Sequence, residues 1–142
     1  MKRVMTFVVM LLCLSAAVAV KADSSRVEPN AKVFIEPTED GMHTALAAAF
    51  RAKKTPVIVV GDKEKADYVV SVVGEVKKAG WAKTIFAGDS RSSASMSMSV
   101  MHRESTAIVY AYNVDKGSAN RGLQSVAEAC AKHFKNHVDG KE

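Results

Sequence analysis

The chain has 142 residues, 48% hydrophobic and 25% charged, with 20 Lys and Arg against 15 Asp and Glu for a formal charge of +5. That length suits one real core, and one domain is expected. The basic residues are scattered among acids rather than gathered into a stripe, which argues against nucleic acid as a partner.

A leader comes first. Lys2 and Arg3 open it, Val4 to Val20 form an almost uninterrupted apolar run, and Val20-Lys21-Ala22 offers small residues where a signal peptidase reads. Residues 1–22 are therefore predicted to be a signal peptide, with Ala17-Val18-Ala19 as an alternative cleavage site. A retained signal anchor is the competing reading, because the run is near the lower limit of the roughly twenty apolar residues that cross a bilayer. Cys13 follows Leu11 and Leu12, not the small residue that precedes a lipid-attachment cysteine. The processed chain is thus expected to be secreted or periplasmic, without stable membrane insertion.

Cleavage after Ala22 leaves 120 residues and, with Lys2, Arg3 and Lys21 gone, 17 basic against 15 acidic groups. The high charge belongs largely to the leader. Cys13 leaves too, so Cys130 remains alone and no internal disulfide forms; stability must come from apolar burial.

Asp23 to Ala31 is polar and lacks periodicity, so it reads as a flexible lead-in. Lys32 to Glu36 carries Val33, Phe34 and Ile35 and is closed by Pro37, which fits a buried strand. Thr38 to Gly41 is a turn, with Asp40 placed to cap a helix whose apolar positions Met42, Leu46, Ala49 and Phe50 recur at helical spacing. Lys53, Lys54 and Pro56 end that helix. Val57 to Val60 is an all-β-branched run, predicted to be a strand buried on both faces and parallel to the first.

Gly61 to Lys65 is a polar turn, after which Tyr68, Val70, Val72 and Val76 alternate along a third strand interrupted by Gly74. Lys77 to Ser93 is a long glycine- and serine-rich loop. Ala94, Met96, Met98, Val100 and His102 then alternate with serines, and Ile108, Tyr110, Tyr112 and Val114 repeat the period, so two further strands form a hairpin. From about Ala119 the period becomes 3.6, with Leu123, Val126, Ala127, Cys130 and Phe134 on one face of a helix.

These elements predict a two-layer α/β (α+β) sandwich: a five-stranded mixed sheet and two helices in the order β-α-β-β-β-β-α, or with one strand fewer. Strands one and two are expected to be parallel, and the last three an antiparallel meander. The domain is expected to span residues 32–138, leaving 139–142 as a tail.

The stretch Ala66-Asp67-Tyr68-Val69-Val70-Ser71-Val72-Val73-Gly74-Glu75-Val76 resembles a strand motif shared by the amino-terminal domain of TolB, the curli-secretion lipoprotein and the lipoprotein activators of penicillin-binding proteins. The order of elements over roughly residues 32–138 is similar too. The resemblance implies an exported, non-catalytic module that binds envelope proteins or assembles there. This chain lacks the lipid-attachment cysteine of those relatives.

Chemistry-bearing residues offer competing readings. Cys130, His133 and His137 fall at i, i+3 and i+7 on one helix side, a set suited to zinc or copper, although the apolar stripe also claims Cys130. Met96 and Met98, near Met101 and His102, suit copper(I), but share a face with Val100 as core methionines would. No serine lies in a G-x-S-x-G elbow and no phosphate-cradling glycine loop is present, so no catalytic residue and no cofactor are expected. Trp81, Ile85 and Phe86, flanked by Lys83 and Arg91, make either a partner-binding loop or a cover for the sheet edge. The sequence therefore points to an exported, non-enzymatic envelope domain acting through protein contacts, with a periplasmic copper- or zinc-binding protein as the alternative.

Overall fold

The computed structural model describes residues 26–77, 93–116 and 122–141. Its elements run β1 (Lys32–Ile35), α1 (Met42–Ala52), β2 (Ile58–Val59), β3 (Tyr68–Lys77), β4 (Ser93–His102), β5 (Ile108–Lys116) and α2 (Gly122–Asp139), with a short 3-10 turn at Lys63–Lys65. This is the five-strand, two-helix sandwich expected from the pattern.

The sheet order is β2-β1-β3-β4-β5. β1 lies between two parallel neighbours, and β3, β4 and β5 form the antiparallel meander. Val59 and Tyr68 are both level with Val33, so residues 60–67 need only pass beneath the start of β1 to carry the chain from one side of it to the other.

Both helices pack on one face. Met42, Leu46 and Phe50 of α1 and Val126, Cys130 and Phe134 of α2 are buried with Val33, Val70, Met96, Met98 and Val100 of the strands in one cluster. Phe134 is the hub, with Phe50 at 5.3 Å and Tyr110 at 5.4 Å between ring centroids. The strict alternation of β4 accounts for this: Ala94, Met96, Met98 and Val100 are buried and the intervening serines face the other way.

Four local expectations change. The run at Val57 to Val60 is not a doubly buried strand: only Ile58–Val59 pairs, at the edge of the sheet, with exposures of 48% and 44%. Ile108 does not share the inward face of Tyr110, because a bulge opposite Val100 and Met101 inserts one residue and turns Ile108 outward, 67% exposed. Helix α1 is entered through Gly41 at φ 76, with Asp40 Oδ1 accepting from the Met42 N–H at 3.1 Å one position outside the cap. Val27, in the segment read as a flexible lead-in, is fully buried, and the Asn30 N–H donates to the Pro56 carbonyl at 2.7 Å.

At the far end, Gly140 has φ 71 and lies against Arg26: a Cβ added there would stand 2.6 Å from Arg26 Nη1. Among the described residues no helix is long and apolar enough to cross a membrane.

Candidate functional site

Period-two alternation fixes what the helix-free face of the sheet presents. Odd-numbered β4 residues Ser95, Ser97 and Ser99 lie there with Ser71 and Val73 of β3 and Ala111 and Asn113 of β5, as the pairings Ser71↔Ser99, Ser99↔Ala111, Val73↔Ser97 and Ser97↔Asn113 require. These small side chains leave a shallow depression of about 380 Å³. Asn113 Nδ2 donates to Ser97 Oγ at 3.0 Å, and Val73 is 72% exposed beside it.

Next to this floor, the Ser71 hydroxyl donates to the Glu36 carboxylate, which also accepts from Lys63 Nζ at 3.0 Å. The Ser71 bond first, and the Lys63 bond second, hold the Glu36 carboxyl below its ordinary range. A carboxylate stabilised in that way is a weak base, so this arrangement does not activate Ser71 as a nucleophile.

The metal candidates separate. Cys130 is fully buried, and burial pushes its thiol up to about 11. His133 stacks on Tyr112 at 4.3 Å with 19° between planes, while His137 is buried against Tyr110 at 4.6 Å. Met96 and Met98 lie in the core. Among the described residues no group of three or more His, Cys, Asp or Glu is gathered as a metal site. Trp81, Lys83, Ile85, Phe86 and Arg91 lie outside the described residues.

A feature that residue patterns do not announce is the outer edge of β5. The His102 N–H donates to the Ala107 carbonyl at 2.9 Å, which aims the even-numbered backbone of β4 at β5. Through the register Met98↔Tyr112 and Met96↔Val114, Tyr112, Val114 and Lys116 bond inward, and the amides of Ala111, Asn113 and Asp115 face out. No backbone bond from another described residue reaches those three. The opposite edge, β2, is two residues long. Sheet edges follow from strand order, which local periodicity does not encode.

No family model and no curated protein sequence matches the chain. Solved structures do match. One is a PelC dodecamer from Paraburkholderia phytofirmans, at 20% identity over 80% of this chain and 92% of that one, with a TM-score of 0.52. A second crystal form of the PelC dodecamer, from the same organism, gives 17% identity over 80% and 90% of the two chains and a TM-score of 0.50. TolB from Acinetobacter baumannii is 7% identical over 82% of this chain but 30% of its own, with a TM-score of 0.50. At these identities the likeness is one of fold, and it includes the TolB fold to which the β3 motif pointed.

Proposed function

We propose that this chain is an exported, non-enzymatic domain of the cell envelope that acts by assembling with other protein chains. The observation that carries the reading is the outward edge of β5, whose backbone groups at Ala111, Asn113 and Asp115 are exposed on a strand of nine residues. The leader at residues 1–22 supports export. The PelC structures bear on assembly, since a chain of this fold forms a dodecamer there. A thiol held neutral at Cys130 and a serine bonded to a stabilised carboxylate at Ser71 weigh against covalent catalysis.

Osmotic-shock fractionation with amino-terminal sequencing and in-cell cross-linking tests the reading. The expected outcome is a periplasmic chain beginning at Asp23, or at Val20 after the earlier cut, that cross-links into larger protein species. An intact Met1 form in the cytoplasm, or a chain that never cross-links, overturns it. Dialysis against zinc and copper followed by elemental analysis is expected to leave no stoichiometric metal, because the soft ligands Cys130, Met96 and Met98 are closed inside the core.

A further inference from the structure

We infer that the β5 edge docks a second copy of this chain, whose own β5 pairs antiparallel to the first and closes the assembly as a two-fold dimer. The inference rests on the assembly reading above and names its partner and surface.

Only one edge of the sheet is fit for the purpose. Head-to-tail growth needs two complementary edges, and β2 offers only Ile58–Val59, flanked by Pro56 and Gly61. β5 offers nine residues without proline, and its one irregularity lies at the start, opposite Val100 and Met101. Soluble proteins usually blunt such an edge with a charge or proline near its middle. Here the charges, Asp115 and Lys116, stand at one end only.

That placement makes the strand a good partner for itself. Antiparallel pairing centred on Tyr112 sets Ala111 opposite Asn113 of the second copy, and Tyr110 opposite its Val114. It carries the two charged ends to opposite sides of the interface, where Asp115 and Lys116 of each copy fall beside the uncharged Ile108 and Val109 of the other. No like charges meet. On the helix side, aromatic and β-branched residues pair with one another, the combination that adds most across antiparallel strands. At the centre of the other side Ala111 and Asn113 meet, and neither blocks close approach. The outward amides of Ala111 and Asn113 supply the new ladder.

Light scattering after gel filtration of the processed protein, over a wide range of concentration, tests this. A dimer is expected. Ala111→Pro removes an outward N–H from each copy without touching the ladder to β4, so dissociation should strengthen by roughly tenfold or more. Ala111→Lys brings two cations together at the centre and should also split the dimer, with circular dichroism and the melting curve showing a folded monomer in each case. A wild type that is monomeric at every concentration overturns the inference; cross-linking to other envelope proteins in cells would then still uphold the assembly reading. An oligomer of unchanged mass in both folded variants also overturns the inference, while leaving assembly itself in place through another surface.

Discussion

Gly74 has no room for a side chain. A Cβ added there would stand 2.3 Å from the Ser95 carbonyl oxygen and 2.7 Å from Met42 Sδ. The methionine end can swing aside, but the carbonyl belongs to the paired strand. Gly74→Ala should therefore cost about 1–3 kcal/mol, read as a lowered midpoint in urea unfolding. Cys130 gives a prediction of a different kind. Its thiol is raised by burial from an ordinary 9.0 to about 11, so the unfolded chain loses that proton first as pH rises. The folded state binds more protons between those values, and its stability falls with pH across that window by roughly 3 kcal/mol in all. Cys130→Ala should cost stability at neutral pH but remove this part of the alkaline loss. Urea midpoints of both proteins at pH 8 and pH 10.5 check it; an equal alkaline loss in the variant would refute the assignment to Cys130.

At the scale of elements, α2 holds the two layers together through Phe134, which touches α1 at Phe50 and β5 at Tyr110. Truncation to alanine leaves a cavity bounded by three elements that cannot collapse together. Phe134→Ala should cost about 3–5 kcal/mol, a large part of the stability of a domain this size, and its thermal transition should drop or vanish by circular dichroism. The elements that the sequence revealed are those whose periodicity is decided locally. In β4 the serines at Ser95, Ser97 and Ser99 separate inward from outward positions, and in α2 the stripe from Val126 to Phe134 does the same at period 3.6. What stayed hidden depends on distant neighbours. The run Val57 to Val60 has one composition whether it is central or marginal, and only the placement of β3 on the other side of β1 leaves Ile58 and Val59 exposed. Ile108 fits the alternation perfectly well until the bulge reverses it. Val27 is a single apolar residue in a polar stretch, with no period to reveal it. The outer edge at Ala111 and Asn113 was hidden for the same reason as β2, since a strand does not announce whether it has one neighbour or two.

On the scale of the whole molecule, the helices occupy one face, the small-residue floor occupies the other, and β5, unpaired on its outer side among the described residues, stands at one side of the sheet. This separation lets an added strand extend the sheet without disturbing the core cluster. Arg26 and Gly140 meet at a corner of the fold, so the described chain nearly closes on itself. The order in which the elements are joined is then incidental to how they pack. A short glycine linker from residue 141 back to residue 26, with new ends opened between Glu104 and Ser105 in the exposed β4–β5 turn, should yield a permuted protein. Its melting transition should remain single and cooperative, and loss of that transition would show that the corner is needed as a free end. The same closure means that labels placed on Arg26 and on Gly140 would report from a single corner of the fold.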